Sequence, residues 1–152
     1  MNDSRKLPPP SPANTAGAIS DSEYRELEAR LARSKFRSRF RLGDAELRCL
    51  AEHPDHVIAG QCRRFLQLRL APADPPRDGR QTPMRGHPCF IAQHATGCCC
   101  RSCLEKWHHI PKGRALTEAE LDRLVAILMR WIEAHGRERD RFACTPDLFP
   151  ET

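Results

Sequence analysis

The sequence predicts a mainly α, small single helical domain with a Cys/His-rich metal-binding stretch and disordered tails. Three observations carry that prediction. Apolar residues recur at helical spacing in several separate segments. Two of these segments open on a Ser/Thr-x-x-Glu capping box. Clusters of proline and glycine divide the segments from one another. A chain of 152 residues is the length of one domain with extensions, and no internal repeat breaks it into units.

The boundaries follow from composition. Residues 1–19 are polar and carry Pro8, Pro9, Pro10 and Pro12, too little apolar surface to order a tail. Residues 137–152 are charged and Pro-containing and form a second tail, with Phe142 and Phe149 able to dock back. The domain between them is expected over residues 20–136.

In chain order, Ser20 and Glu23 are spaced as a capping box, and Tyr24, Leu27 and Leu31 repeat along one face of a helix reaching about Ser34. The segment KFRSRFRL then reads either as a strand or as a helix with Phe36 and Phe40 one turn apart. Gly43-Asp44 opens a further helix, with Asp44 as its N-cap and Leu47, Leu50 and Ala51 as its buried side. Pro54 starts the next one, whose stripe of Val57, Ile58, Cys62, Phe65, Leu66 and Leu70 runs to Leu70. Cys49 and Cys62 lie on these stripes and read as core residues. His53 and His56 read as surface.

Residues 71–83 hold Pro72, Pro75, Pro76 and Pro83 and form a loop. Pro88–Ala95 is ambiguous between a strand and a helical turn. Leu104–His109 reads as a helix stopped by Pro111. The last helix is the plainest, with Thr117 and Glu120 as its capping box and a stripe of Leu121, Leu124, Val125, Leu128, Trp131 and Ile132. Gly136 is the expected stop.

The chemistry lies between Met84 and Gly113. This stretch holds Cys89, Cys98, Cys99, Cys100 and Cys103, five of the eight cysteines, with His87, His94, His108 and His109, four of the seven histidines. Thiolate and imidazole are the ligands of zinc and other borderline or soft ions. Cys100 and Cys103 have the C-x-x-C spacing that lets one tight turn present two sulfurs to one ion, and His108 follows as a third ligand. The fourth comes from upstream, His94 first, then Cys99, Cys89 or His87. A helix that starts earlier would instead pair Cys99 with Cys103. An iron–sulfur cluster is the alternative filling, although the spacing matches neither common ferredoxin run. A redox dithiol or soft-metal sensor on Cys100 and Cys103, with Arg101 and Lys106 favouring the thiolate, is the third.

A zinc-dependent hydrolase would need an acid/base beside an open coordination position. Glu105 is the one acid between Asp78 and Glu118, and the H-x-E element of the zinc deaminases is absent. No catalytic residue is therefore assigned.

The motifs RGHP-x-FIAQHAT and CCR-x-CLEKWH-x-IPKG, followed by a helix ending in MRWIE, resemble the small bacterial family catalogued as domain of unknown function 4186, over roughly residues 27–134. The resemblance implies a compact single domain and no particular activity. It also implies that Cys99, Cys100, Cys103, His94 and His108 belong to the motif, and that Cys98 and Cys89 are the weaker ligand candidates.

Charge suggests a partner. The formal net charge is +5, and residues 77–114 alone carry seven basic residues against two acids. A second basic run spans Arg33–Arg41. DNA or RNA suits such a field, with Lys35, Arg37, Arg39, Arg41, Arg85, Arg101 and Lys112 as the expected contacts. There is no apolar run of membrane length and no signal-peptide core, and cysteines without an export signal suit the cytoplasm.

Overall fold

The computed structural model describes residues 18–144, with the backbone alone from residue 137. Seven helices make up its regular structure: α1 (Asp21–Ala32), α2 (Lys35–Ser38), α3 (Asp44–Glu52), α4 (Asp55–Arg69), α5 (Pro88–Thr96), α6 (Arg101–His108) and α7 (Glu118–Cys144). None among the described residues is long and apolar enough to cross a membrane. Of the expected tails, residues 1–17 and 145–152 lie outside the described residues, whereas residues 137–144 of the expected C-terminal tail continue α7.

Local chemistry sets most of the boundaries. Ser20 caps α1 by accepting from the Glu23 N–H at 3.1 Å, while the Glu23 carboxylate accepts from the Ser20 N–H at 3.0 Å. Thr117 and Glu120 make the same reciprocal pair before α7. The segment KFRSRFRL resolves as a helix: Ser34 accepts from the Arg37 N–H, and one turn, α2, follows. Pro88–Thr96 is also helical, with His87 as N-cap and Gly97 as left-handed C-cap at φ 77°.

Two expectations need correction. Gly43, not Asp44, is the N-cap of α3, and its N–H is held at 2.7 Å by the carboxylate of Glu46. Glu46 is buried because its other oxygen accepts from the Gly86 N–H at 2.7 Å, joining α3 to the approach to α5. Gly136 does not stop α7, which continues to Cys144. A Cβ there would meet Leu50 Cδ1 at 3.4 Å, so this glycine sits inside α7 facing α3.

The core forms where α5 lies against α7 and α4, with α1, α2 and α3 closing the sides. Every residue of α5 is buried. That explains its ambiguity in the sequence, since a helix enclosed on all faces shows no amphipathic period. Cys62 is in this core as expected, and Cys49 packs at its margin.

The turn after α5 decides where the cysteines go. Gly97 supplies a positive φ, and a Cβ on it would fall 2.6 Å from Trp107 Cγ on α6. Both the conformation and the space exclude a side chain. Gly97→Ala should therefore lower stability by about 2 kcal/mol or more. Gly60→Ala, exposed in mid-α4 with nothing near its added Cβ, should leave stability unchanged or raise it by up to about 1 kcal/mol. Urea denaturation of the two variants checks the contrast.

Candidate metal centre

Cys98, Cys99 and Cys100 occupy the turn between Gly97 and α6, and Cys103 sits in the first turn of α6. Cys100 is the N-cap, and its sulfur accepts from the Cys103 N–H at 3.4 Å. This folds the turn so that the Sγ atoms of Cys99, Cys100 and Cys103 all lie within 4.8 Å of one another. The sulfurs of Cys99 and Cys103 stand 3.5 Å apart. Sulfurs bound tetrahedrally to one zinc at 2.3 Å stand about 3.8 Å apart, so the spacing suits a single ion. Among the described residues, these three form the one set of at least three ligand groups whose donor atoms converge.

The turn is held from behind. Gln93 donates from Nε2 to the Cys98 carbonyl at 3.0 Å, and the Thr82 hydroxyl donates to the Cys99 carbonyl at 2.8 Å. The Arg101 N–H is held by Asp78 Oδ1 at 3.1 Å. Side chains of the 71–83 loop thus support the cysteine turn directly.

Facing the sulfurs is Arg37. Its Nη2 donates to Cys103 Sγ at 3.0 Å, and its Nη1 donates to Cys99 Sγ at 3.4 Å and to the His94 carbonyl at 2.7 Å. Burial opposes the charge on Arg37, but the bonds and charge interactions with the Cys99 and Cys103 sulfurs hold its pKa above the ordinary value. The thiols sit above their ordinary range. For Cys99 the bond with Cys100 is the main cause, and for Cys100 it is the bond with Cys103. At Cys103 the bond with Cys100 pulls downward, but the bond with Cys99 and burial outweigh it. The group is therefore three thiols under a guanidinium, and a cation has to displace their protons to bind.

The two histidines expected as ligands lie elsewhere. The Nε2 of His94 is within 3.2 Å of the Thr82 carbonyl and 3.1 Å of the Pro83 carbonyl, and its ring stacks on Phe40 at 5.4 Å. His108 has Nε2 2.8 Å from the Thr96 carbonyl and 3.4 Å from Cys98 Sγ, on the other side of the turn. The reason is helical geometry: five residues after Cys103, His108 points away from the N-terminal face that carries the sulfurs. Cys98 is wholly buried, and its thiol is pushed up to about 12 by that burial. His87 bonds Gln61 at 2.7 Å and caps α5, while Cys89 is buried near Gln93. Neither joins the sulfur group.

The expected polyanion contacts divide. Lys35, Arg39, Arg41, Arg85 and Lys112 are exposed. Arg37 and Arg101 are not: they are 9 % and 1 % exposed and point inward. Arg101 donates from Nη1 to the Leu70 and Pro72 carbonyls and from Nη2 to the Pro111 and Arg114 carbonyls, at 2.8–3.2 Å. Its role is internal, and it cannot contact nucleic acid. Sequence reasoning placed Arg37 and Arg101 on the surface because a lone cation is exposed far more often than buried. It missed Gln93 and Thr82 altogether. The one hint for Arg37 was Ser34 three residues earlier, a cap that turns the basic run into a helix with an inner face.

An all-α domain with a converged three-thiol group is the class that fold and site define. Within that class, the chain belongs to the family described as domain of unknown function (DUF4186), whose model matches residues 25–133. No solved structure matches the chain.

Burial also sets a pH dependence. Desolvation lowers His108 to about 4 and His87 to about 4, the latter helped by the charge of His53. Unfolded histidine titrates near ~6.5, so between these values the unfolded chain binds more protons. The stabilisation is complete above ~6.5 and is lost as pH falls toward 4. Carboxylates held low, such as Glu120 at about 2 with Arg114 as its main cause, act from their ordinary value of 4.5 downward, below the pH 7 to 5 range. Urea midpoints should thus fall steadily from pH 7 to pH 5, and a flat profile would contradict neutral burial of these imidazoles.

Proposed function

We propose that the protein is a thiolate metal-binding domain in which Cys99, Cys100 and Cys103 hold one zinc ion. The observation that carries this reading is the convergence of three sulfurs within 4.8 Å beside a buried arginine. The charge arithmetic supports a divalent ion. Three thiolates and one zinc sum to −1, and the Arg37 guanidinium brings the buried group to neutrality, which avoids the large cost of enclosing net charge. A four-iron cluster distributes its ligand sulfurs over different irons and calls for wider spacing than is found here.

The ion's role in this reading is binding and cross-linking of structure. It joins the Cys98–Cys100 turn to α6 directly and to α2 through Arg37. Hydrolysis is less well supported, because the side chain against the sulfurs is a guanidinium and Glu105 is exposed. A fourth ligand is left to water or to an added group. A reducing compartment such as the cytoplasm would keep the thiols available.

Metal analysis of protein purified without added metal tests the reading, with about one equivalent of zinc expected. Serine at Cys99, Cys100 or Cys103 should lower the content sharply, while His108→Gln should retain it. Because binding displaces up to three protons, affinity should rise with pH, by up to about tenfold per unit for each proton released. Less than about a tenth of an equivalent, with no uptake on titration, would reject the centre.

A second reading is favoured by one distance, the 3.5 Å between the Cys99 and Cys103 sulfurs. Hydrogen peroxide could take one electron and one proton from each thiol, closing a disulfide and releasing two waters. The redox pair then differs from the Cys100–Cys103 pair that C-x-x-C spacing suggests. Peptide mapping after peroxide treatment should recover Cys99 joined to Cys103, and a Cys100–Cys103 link would reject this pairing.

A further inference from the structure

We propose that the outer face of α2 binds single-stranded nucleic acid and that the Cys99/Cys100/Cys103 centre controls this binding through Arg37. The control rests on the metal reading above, and the surface does not. On α2 and the residues just after it, side chains divide by direction. Arg37 points inward to two sulfurs and the His94 carbonyl. Lys35, Arg39 and Arg41 are exposed around it, and Phe36 is left 42 % exposed.

The chemistry of that face selects the occupant. The Phe36 ring stands edge-on to Phe40 at 5.1 Å, with Arg39 5.6 Å from its centroid. No acid occurs between Glu28 and Asp44, while Arg30, Arg33, Lys35, Arg37, Arg39 and Arg41 all lie there. A projecting aromatic inside a group of cations is the pairing that holds unstacked bases, the ring taking a base and the cations the backbone. An apolar protein partner would leave those cations unpaired. Duplex DNA would keep its bases stacked and out of reach of Phe36.

Control follows from how α2 is held. A four-residue helix has no stability of its own, and Arg37 is its buried residue. Hydrogen bonds to thiolate are charge-assisted and stronger than bonds to thiol. Metal binding removes the thiol protons, tightens the Arg37 bonds and fixes the outer face in the conformation described. The coupling is reciprocal, so nucleic acid must raise zinc affinity by the same factor that zinc raises nucleic-acid affinity.

The test is fluorescence anisotropy of the full chain with a labelled oligothymidylate of roughly 12 nucleotides, using zinc-loaded and metal-stripped protein. Zinc-loaded protein should bind at about 50 mM salt, with log K falling linearly in log salt. Joint replacement of Lys35, Arg39 and Arg41 by Ala should flatten that slope by about two, at ~0.7 per single-strand phosphate. Phe36→Ala should cost about fivefold or more and leave the slope unchanged. Stripping the metal should weaken binding by about tenfold, within the usual range of site coupling. Arg37→Gln should bind equally with and without zinc. Should that variant fail to fold, zinc titration of the unaltered chain with and without oligonucleotide measures the same coupling from the other side.

Absence of binding at about 50 mM salt overturns the surface. So does equal affinity for duplex or heparin with no effect of Phe36→Ala, which would reveal a general polyanion contact. Zinc uptake with unchanged oligonucleotide affinity overturns the control while the metal reading stands. No zinc uptake overturns the metal reading and the control together, and the surface is then decided by the stripped protein.

Discussion

The position of the cysteine turn depends on one buried cation, Arg101. Its guanidinium is all but closed to solvent and is shared among four carbonyls, two at the end of α4 and two in the connection from α6 to α7. Those carbonyls belong to irregular backbone, which would otherwise bury unpaired acceptors at a cost of ~1–3 kcal/mol each. Burial lowers the pKa of Arg101, and nearby Asp78 opposes that shift. The arrangement joins the same two segments that the Leu116 N–H, donating to the Ala71 carbonyl at 2.9 Å, already ties together. Since Arg101 directly follows Cys100, the same clamp sets where α6 begins and where the sulfur of Cys100 points.

From that fixed point the site is assembled by enclosure. The Thr82 hydroxyl and the Gln93 amide hold the carbonyls of the turn, and Gly97 lets it pass beneath Trp107. Three thiols next to one another in sequence would otherwise turn in different directions. Here Cys98 is drawn inward to Thr96 at 3.3 Å, and Cys99 and Cys100 are left to face Cys103. The separation of Cys98 from its neighbours is thus a consequence of backbone support and not of cysteine chemistry.

This division explains what could be read from the sequence. The caps at Ser20 and Thr117 are local, made of residues three apart, and they place α1 and α7 without knowledge of the fold. The apolar stripe of α4 likewise declares itself. By contrast, α5 carries no period because all its faces are covered. The sulfur group was largely legible, since the C-x-x-C spacing identifies Cys100 and Cys103, and Cys99 was already a candidate through an earlier helix start. What the sequence could not supply is that Cys98 turns away from the three. His94 and His108 have suitable chemistry, but their Nε2 atoms lie against the Thr82, Pro83 and Thr96 carbonyls, and no spacing rule anticipates that. The count of positive charges misled for a related reason: two of the seven expected surface contacts, Arg37 and Arg101, are internal donors.

The metal and redox readings use the same atoms and therefore compete. A disulfide between Cys99 and Cys103 would remove two of three thiolates, and the remaining Cys100 could not retain zinc alone. It would also change what Arg37 sees, because disulfide sulfurs are weak acceptors and carry no charge. Conversely, a bound ion holds the sulfurs apart near ~3.8 Å and withdraws their electron density from an oxidant. Arg37 favours both outcomes at the outset, since it stabilises thiolate whether the thiolate meets a cation or a peroxide. Which comes first is then set by access. Cys103 is partly exposed, so an ion and an oxidant can both reach the group there. Arg37 is anchored on that same sulfur, at the shortest of its sulfur contacts. Any chemistry that begins at Cys103 is felt first by α2.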